Sequence, residues 1–337
     1  MTSLVGAGLL ALALSAALTP VCRRAALAWR IVDLPRPNRW HRTPVPLLGG
    51  VAVMVAVAVA TVAWTPSGSP PWAVLGGGAA IFGLGVVDDL RGLSPVTKLV
   101  GQTVIAACLN AFGLQLDLFD SAALNVASSV FWVVALVNAF NLLDHMDGLA
   151  AGVAVVAGGF QVVFFATDGN LAEAVTAAAL AGAAMGFLLF NFPPAGIFLG
   201  DAGSLLIGYF IASLSLSATF PYSRSVVSIL LVPVMSSLVP ILDVALVTVT
   251  RRLTGRRIMV GGRDHSSHRL VALGLSDRQA VLTLYALAVT CGVLGLLSAR
   301  YGLSRTAVLF IMLVVGVGWL GVRLAAAGPE LSRPQDD

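Results

Sequence analysis

The stretch Asn138–Gly152, NAFNLLDHMDGLAAG, places two asparagines, two aspartates and a histidine in a chain otherwise rich in Val, Ala, Leu and Phe. Charged carboxylates are costly in hydrocarbon, so their presence near a bilayer usually marks a functional site. The segments on both sides are apolar for about 20 residues, which is long enough to cross a bilayer as α-helices. The stretch therefore predicts the end of one membrane helix, a polar turn and the start of the next.

The composition of the whole chain indicates an integral membrane protein. Its 337 residues are 58% hydrophobic and 11% charged, the mean hydropathy is +0.93, and a soluble domain would carry about 25% charged residues. The cysteines Cys22, Cys108 and Cys291 are far apart and suggest neither a metal site nor a disulfide framework. The pI of 9.3 could suggest nucleic acid, but the positions of the positive charges indicate membrane topology and no nucleic-acid partner.

Hydropathy predicts an all-α polytopic fold with about 11 transmembrane helices in one domain, residues 1–325, followed by a short cytoplasmic tail, 326–337. The first span reads as an uncleaved anchor, with a cleaved signal peptide as the alternative. All but Arg224, Arg300 and Arg305 of the 20 Lys and Arg residues then fall on one side. The positive-inside rule makes that side cytoplasmic and places the N-terminus outside and the C-terminus inside. The predicted spans are 3–20, 47–64, 72–87, 98–115, 126–143, 149–167, 172–190, 204–220, 226–249, 279–298 and 305–325.

Asp88 and Asp89 lie in one of several polar segments on the predicted cytoplasmic side. Neighbouring residues on a helix point about 100° apart, so the two side chains do not face one partner squarely. Two carboxylates this close hinder each other's ionisation unless a cation lies between them. Lys98, the only lysine in the chain, is the candidate cation. The alternative is a solvated turn that caps two helices.

Asn138, Asn141, Asp144 and Asp147 recur every three residues within the opening stretch. This period drifts by about 60° per step on an α-helix, so consecutive members approach one another but all four do not share a face. Asn141 and Asp144 are therefore expected to approach one ligand. An Asx-rich helix junction is the alternative, and it accounts for one or two of the four.

Asp201 lies in FLGDAGS, just before a predicted span. Glycines let backbone N–H groups approach an anion, and a helix N-terminus favours phosphate. The carboxylate of Asp201 also suits magnesium, which prefers oxygen ligands and often bridges carboxylates to substrate phosphates. A simple helix N-cap is the alternative interpretation of this segment.

His265 and His268 are three residues apart, next to Arg269, in the last predicted cytoplasmic loop. A zinc site there would lack a cysteine and a clear third ligand. A phosphate clamp fits better, because guanidinium groups match phosphate oxygens and imidazoles can donate hydrogen bonds as well. Carboxylates, one lysine and this basic loop on one face predict a magnesium-dependent site for a polyanionic substrate.

Four motifs in this order resemble those of the polyprenyl-phosphate N-acetylhexosamine-1-phosphate transferases of glycosyltransferase family 4. They are VVDDL with Lys98, NAFNLLDHMDGLAAG, PPAGIFLGDAGSLLIG and RDHSSHRL, and the resemblance extends from about Asp33 to Gln279. The chain is most similar to the bacterial undecaprenyl-phosphate GlcNAc-1-phosphate transferases of the inner membrane. These start O-antigen (lipopolysaccharide), enterobacterial common antigen or teichoic acid (cell wall) synthesis. Phospho-MurNAc-pentapeptide transferase, of the same superfamily, is the alternative.

The resemblance implies that a polyprenyl phosphate attacks the β-phosphorus of a UDP-sugar and releases UMP, with Mg²⁺, or Mn²⁺ in its place, as the cofactor. It implies Asp201 and Asn141 as metal ligands. Asp88 would deprotonate or position the lipid phosphate with Asp89 beside it, and Lys98 would neutralise phosphate charge. A homodimer is a possible assembly state. The donor-binding residues would be Asn138, Asp144, Asp147, His265, His268 and Arg269.

Several residues depart from the family pattern. His145 stands where many members have glycine or asparagine, which affects the expected nucleotide contacts. HSSHRL replaces the consecutive histidines of the peptidoglycan enzyme and argues against a pentapeptide donor. The first loop has Arg39-Trp40-His41 instead of the commoner basic pair before the histidine.

Three other classes of membrane protein fit the sequence less well. A secondary transporter would carry charges near the midplane, whereas only Asp243, expected to pair with Arg251 or Arg252, lies well inside a span. An intramembrane aspartyl protease would need two facing aspartates. A CDP-alcohol phosphatidyltransferase would need an Asp-Gly-Ala-Arg run, and Asp147-Gly148 is followed by Leu-Ala.

Overall fold

The computed structural model describes residues 1–35, 43–65, 71–217, 226–256 and 262–326. These residues form helices and one short antiparallel ribbon, β1 (Val32–Asp33) with β2 (Val45–Pro46). Arg39-Trp40-His41 lies outside the described residues. The helices are α1 (Thr2–Ala28), α2 (Gly49–Trp64), α3 (Trp72–Arg91), α4 (Pro95–Ala111), α5 (Ala122–Leu143), α6 (Leu149–Thr167), α7 (Leu171–Asn191), α8 (Gly200–Ser217), α9 (Val226–Ser236), α10 (Leu238–Leu253), α11 (Ser266–Ala272), α12 (Asp277–Tyr301) and α13 (Leu303–Ala326).

The prediction of a helical, polytopic membrane protein is confirmed, and the ribbon is the departure from an all-α chain. The ribbon is short, and hydrogen bonds with neighbouring residues stabilise it. Leu47 N donates to Ile31 O at 3.0 Å, and Phe198 N donates to Pro46 O at 2.8 Å. Two-residue strands carry no readable alternation of polar and apolar side chains, so this element has no sequence signal.

Each of the 11 predicted spans overlaps a helix or, for 226–249, the bent pair α9–α10. Within the described part of the chain, seven helices are long and apolar enough to cross a membrane, or eight if the bent pair counts as one span. The helices α2, α4 and α8 are not among them; α2 has only 16 residues and α4 only 17. The count of 11 and the orientation therefore remain predictions.

The sharpest interruption of a predicted span is the 66° bend between α9 and α10. Pro240 lies in the first turn of α10 and has no N–H to donate to the carbonyl of Ser236, four residues earlier. The proline ring also crowds that carbonyl, so the helix breaks between Ser236 and Leu238. The hydropathy pattern continues across the break and hides it.

Helix α8 lies at the centre of the bundle, and all of its residues except Asp201 and Ser217 are buried. Its sequence, SLLIGYFIASLSLS after Gly203, is apolar on every side, as expected for a helix surrounded by others. It packs against α2, α3 and α5. The N-terminus of α8 is thereby held in the middle of the polar segments.

Two glycines allow the close packing that sets this position. A Cβ on Gly85 of α3 would lie 2.4 Å from Ala202 Cα, and one on Gly50 of α2 would lie 2.5 Å from Gly203 N. Real side-chain atoms do not approach backbone this closely, so larger residues would push α3 and α2 away from α8. The contact at Gly85 brings the acidic end of α3 against the start of α8.

Candidate active site

A cavity of about 540 Å³ opens where the polar segments meet. The ribbon, the C-terminal end of α3, the α5–α6 turn and the α7–α8 loop all contribute to it. Its described lining residues are Val32, Asp33, Leu34, Leu47, Asp88, Asp89, Leu90, Arg91, Gly92, Asp144, His145, Met146, Asp147, Asn191, Phe198, Gly200 and Asp201. The structure thus brings together three of the predicted cytoplasmic motifs.

Lys98 links two of the predicted acidic residues at one end of the cavity. Its ammonium nitrogen lies 2.6 Å from Asp201 Oδ2 and also forms an ion pair with Asp88 Oδ2. Asp88 Oδ1 accepts a hydrogen bond from Leu93 N at 2.7 Å. The side chain of Asp88 is 6% exposed and that of Asp201 is 36% exposed. Asp201 is therefore the more accessible carboxylate of this cluster.

Asn141 joins the same cluster from α5. Its Nδ2 donates to Asp201 Oδ1 and to Ser204 Oγ, both at 2.9 Å. The structure thus places Asn141 against Asp201, the two residues that the resemblance implies as metal ligands. Ser204 is a contact that the sequence analysis missed, although its position three residues after Asp201 places it on the same side of a helix start.

Asp89 performs a different task from Asp88. Its Oδ1 accepts from Asp201 N at 2.7 Å and its Oδ2 accepts from Ala202 N at 3.0 Å. N–H groups in the first turn of a helix have no acceptor within the helix, and the helix dipole favours a carboxylate at this position. The carboxylate of Asp89 thus occupies the anion site expected at this N-terminus. The side chain that caps α8 therefore belongs to α3 and is not that of Asp201. Gly200 has a φ of +72°, and a Cβ there would meet Asp89 Oδ2 at 2.6 Å.

The cavity is strongly acidic, and a divalent cation fits its donor set. Arg91 lines it and Lys98 reaches its edge, but these two positive charges are fewer than the lining carboxylates. A phosphate-bearing substrate would be repelled unless a cation neutralised part of this charge. Carboxylate and amide oxygens are the ligands that magnesium prefers. The lining carboxylates belong to Asp33, Asp88, Asp89, Asp144, Asp147 and Asp201.

The α5–α6 turn is fixed to the α7–α8 loop. Asp147 Oδ2 accepts from Ala195 N at 2.8 Å, and Asn191 Oδ1 accepts from Gly148 N at 3.0 Å. Asp144 ends α5 and lines the cavity with Asp147. Asn191, which the sequence analysis missed, sits at the end of α7 just before the Pro-Pro turn, a position typical of a capping amide.

Asn138 is separate from this group. Its Nδ2 donates to Gln102 Oε1 at 2.5 Å and to Val134 O at 2.8 Å. Among the described residues that line the cavity, Asn138 does not occur. Asn138 thus links α5 to α4, because the period of three rotates its side chain away from Asp144. Its contact with a substrate stays a prediction.

His145 connects the cavity with the last loop. Its ring stacks on His265 with centroids 4.0 Å apart and lies 4.8 Å from the ring of His268. Its Nε2 lies 2.7 Å from Ser267 Oγ, and its Nδ1 lies 2.8 Å from Leu142 O. The structure thus assigns contacts to a residue that the sequence marked only as a departure from the family.

The sequence suggested that Asp243 pairs with Arg251 or Arg252, but in the structure Asp243 contacts other groups. Asp243 Oδ2 lies 2.7 Å from His265 Nδ1, and its Oδ1 accepts from Ser266 N at 2.7 Å. Arg251 instead forms two hydrogen bonds with Asp264, at 2.5 and 2.7 Å. The local pairing of Arg251 with the loop was hidden because 13 residues separate the partners.

His145, Asp243 and His265 offer ligand atoms within 4.8 Å of one another. The two rings are stacked with an interplanar angle of 24°. A metal ion lies in the plane of each imidazole that binds it, about 2.1 Å from the nitrogen, and nearly parallel planes do not meet at such a point. The arrangement is a hydrogen-bonded stack and not a metal centre.

Arg269 is occupied by protein groups. Its Nη1 donates to Leu324 O at 2.8 Å, its Nη2 to Thr250 Oγ1 at 2.9 Å and its Nε to Asp264 O at 2.7 Å. The residue is 2% exposed, and among the described residues Arg269, His265 and His268 are not part of the cavity lining. Arg269 thereby joins α10, α11 and α13, and its contact with a diphosphate stays a prediction.

Burial and neighbouring imidazoles keep His145 and His268 uncharged. Burial, then the nearby His265 ring, lowers the pKa of His145 to about 4. Burial, then His145 and His265, lowers the pKa of His268 to about 2. Burial by itself would raise the pKa of Asp264, but the hydrogen-bonded Arg251 guanidinium moves it below its usual value. At neutral pH the imidazoles of His145 and His268 are therefore neutral and lie near an ionised aspartate.

Comparison with known proteins identifies the family of this chain. Residues 71–219 match the model of the family described as glycosyl transferase family 4, a segment that runs from α3 to the end of α8. A Bacillus subtilis protein named "probable undecaprenyl-phosphate N-acetylglucosaminyl 1-phosphate transferase" is 32% identical over 280 residues, covering 80% of this chain and 77% of that protein.

Two further relatives extend the comparison. The decaprenyl-phosphate N-acetylglucosaminephosphotransferase of Mycobacterium tuberculosis is 35% identical over 293 residues, covering 75% of this chain and 72% of the relative. The phospho-N-acetylmuramoyl-pentapeptide-transferase of Bacillus subtilis is 29% identical over 312 residues, covering 86% and 94%. The chain belongs to glycosyl transferase family 4.

Proposed function

We propose that this protein transfers N-acetylhexosamine 1-phosphate, with N-acetylglucosamine as the sugar, from a UDP-sugar to a polyprenyl phosphate. The observation that carries the proposal is the Asp88–Lys98–Asp201 cluster at the edge of a 540 Å³ acidic cavity. Relatives named for the same transfer to undecaprenyl and decaprenyl phosphate support it. Such a step would start a cell-envelope glycan, of the lipopolysaccharide or cell-wall type, on a lipid carrier.

In the proposed reaction an oxygen of the lipid phosphate attacks the β-phosphorus, the one that carries the sugar. The new bond joins the two phosphates of a lipid diphosphate sugar, the bond between the β-phosphorus and the bridging oxygen breaks, and UMP leaves with the electron pair. Phosphoryl transfer depends mostly on positioning the reactants and on neutralising charge. The cluster is suited to both tasks.

Mg²⁺, with Mn²⁺ as a substitute, is the proposed cofactor. Asp201 is the accessible carboxylate and Asn141 lies next to it, so the carboxylate of Asp201 and the amide oxygen of Asn141 would hold the ion. Bound there, the ion would supply positive charge to the diphosphate of the donor. The excess of carboxylates around the cavity is the reason to expect an ion rather than another basic side chain.

Lys98 and Asp88 act on the lipid phosphate in this proposal. The ammonium of Lys98 is held between Asp88 and Asp201 and supplies positive charge at the cavity edge. Asp88 is nearly buried and bonded to Leu93 N, which suits positioning of Lys98 and acceptance of a proton if the lipid phosphate arrives singly protonated. Asp89 holds the start of α8 in place, and Asp144 and Asp147 line the donor part of the cavity.

The location of the cluster suits a lipid substrate. Asp88 and Asp201 lie at the ends of α3 and α8, where a lipid phosphate at headgroup depth would meet them while its tail remained in hydrocarbon. The basic residues of the loops support a cytoplasmic orientation for this end of the protein in a bacterial plasma membrane.

A direct assay tests the proposal. Purified protein is incubated with radiolabelled UDP-N-acetylglucosamine, undecaprenyl phosphate and Mg²⁺, and the lipid product is extracted into butanol. Label in the butanol phase and release of UMP are expected. A panel with UDP-MurNAc-pentapeptide and other UDP-sugars identifies the donor. No transfer from any of them by folded protein, or uptake of a solute into proteoliposomes instead, would contradict the proposal.

A further inference from the structure

His145 is a residue that both lines the cavity and contacts the last loop. Its backbone belongs to the α5–α6 turn, and its ring contacts His265, His268 and Ser267. Ser267 is completely buried and 122 positions away in the chain. The side chain therefore spans two segments that the sequence separates widely.

The hydrogen bonds of His145 fix its tautomer. Nδ1 faces the carbonyl oxygen of Leu142, which can only accept, so Nδ1 carries the proton. In the neutral ring Nε2 is then an acceptor, and Ser267 Oγ–H donates to it. His265 is oriented in a similar way, because its Nδ1 faces the carboxylate of Asp243. Hydrogen bonds to the backbone or to buried side chains fix the orientation of both rings, and in these orientations the rings stack.

We propose that His145 is a positioning residue that latches the 264–269 segment to the α5–α6 turn and so fixes the donor side of the cavity. This inference rests on the proposed function, because it takes a UDP-sugar as the molecule in the cavity. The sequence alone marked His145 as unusual but gave it no partner.

The position of the latch indicates that it affects the donor side of the cavity and not the acceptor side. The lipid acceptor carries a long apolar tail and must keep it along the membrane helices, next to the Lys98 cluster. The UDP-sugar is water soluble and enters from the loops. His145 neighbours Asp144 and Asp147 in a loop turn, and Asp147 is in turn bound to the α7–α8 loop. Loss of the latch would loosen the loop wall that the donor meets.

Two single variants and their combination test the latch by steady-state kinetics. His145→Ala and Ser267→Ala each remove one end of the same hydrogen bond. Each is expected to raise the donor KM about threefold to tenfold, with the acceptor KM and kcat changed less than about twofold. The double variant should resemble either single variant, because residues that share one interaction are not additive. His145→Gln, whose amide reaches the former Nε2 position, should restore part of the donor affinity.

Matched controls separate a positioning role of His145 from direct contact with the donor. Ser213→Ala removes an equally buried hydroxyl from the middle of α8 and should leave the donor KM unchanged. A rise in donor KM for His145→Ala alone, with Ser267→Ala silent, would mean that His145 contacts the donor directly and would overturn the latch. Unchanged donor KM in both variants, with an active wild-type enzyme, would also overturn it. A wild-type protein inactive with every UDP-sugar would overturn the proposed function instead, and with it the donor assignment.

Discussion

Lys98 Nζ lies 2.6 Å from Asp201 Oδ2, although the two residues are 103 positions apart in the chain. The same ammonium is paired with Asp88. One cation thus holds two carboxylates from helices α3 and α8 at the cavity edge. Of the two carboxylates, only Asp201 retains substantial exposure, so it can take a further ligand.

Replacing Asp201 by asparagine should abolish most activity without unfolding the protein. The amide has the same size but carries no charge, so it binds a magnesium ion weakly and no longer balances Lys98. We expect kcat to fall roughly a hundredfold or more, as for the loss of a charge-stabilising group in a transition state. Asp88→Asn should be similarly inactive, because it releases Lys98. Both are measured by transfer of label to lipid, with thermal unfolding as the check on folding.

Asp117→Asn is the matched control for these variants. Asp117 lies in the loop before α5, and its Oδ1 accepts from Asn125 Nδ2 at 2.9 Å, a bond that an asparagine oxygen can also accept. Turnover within about twofold of wild type is expected. Near wild-type turnover for Asp201→Asn would refute its role at the metal.

Chelation should abolish the activity reversibly. The cavity's carboxylates outnumber its cations, so the diphosphate of the donor would be repelled without a divalent ion. Turnover is expected to disappear in excess EDTA and to return with Mg²⁺ and, to a smaller extent, with Mn²⁺. Full turnover in EDTA would show that Lys98 and Arg91 suffice and that no ion is required.

Asp89 should matter for stability more than for chemistry. Its carboxylate accepts from two N–H groups of the first turn of α8, so Asp89→Ala leaves both donors without their acceptor. A loss of about 1–2 kcal/mol is expected, or a melting temperature lower by roughly 2–5 °C. Asp120→Ala, at an exposed loop position, is the control and should not shift the melting temperature. An unchanged melting temperature for Asp89→Ala would argue that the cap contributes little.

The sequence predicts the helical membrane fold well because apolar runs of membrane length leave few alternatives. It also predicts that Asp88, Lys98, Asn141 and Asp201 approach one another, since the topology places their segments on one side. It does not predict which of two adjacent aspartates faces Lys98. That choice depends on how α3 is rotated against α8, where Gly85 packs closely on Ala202.

The contacts of the last loop have no signal in the sequence for a different reason. His265, His268 and Arg269 look like a basic surface patch because the loop sequence contains only one acidic residue, Asp264. In the folded chain the compensating groups come from elsewhere: Asp243 from α10 for His265, and the Leu324 carbonyl from α13 for Arg269. A single sequence without contacts carries no signal for such distant partners.

Arg269→Lys distinguishes a structural arginine from one that binds the diphosphate. A lysine cannot reproduce the three-directional contacts with Leu324 O, Thr250 Oγ1 and Asp264 O. We expect the melting temperature to fall by several degrees together with activity, since a buried donor set is lost. Arg252→Lys, at an exposed position on α10, is the control. A roughly hundredfold loss of activity at an unchanged melting temperature would instead support direct contact with the diphosphate.

The neutral imidazoles should make the protein less stable in mild acid. In an unfolded chain histidine has a pKa of about 6.5, whereas the pKa of His145 is lowered to about 4 and that of His268 to about 2. Between about pH 6.5 and 4 the unfolded state therefore binds more protons, and stability falls as the pH falls. Asp264, whose pKa is lowered below 3.8 by Arg251, loses its contribution only below about pH 4. The melting temperature of wild type should thus decrease from about pH 7.5 to about pH 5, and that of His145→Gln should decrease less, because one of the two neutral imidazoles is gone. Every other titrating group is common to both proteins, so parallel curves would mean that His145 does not remain neutral in the fold.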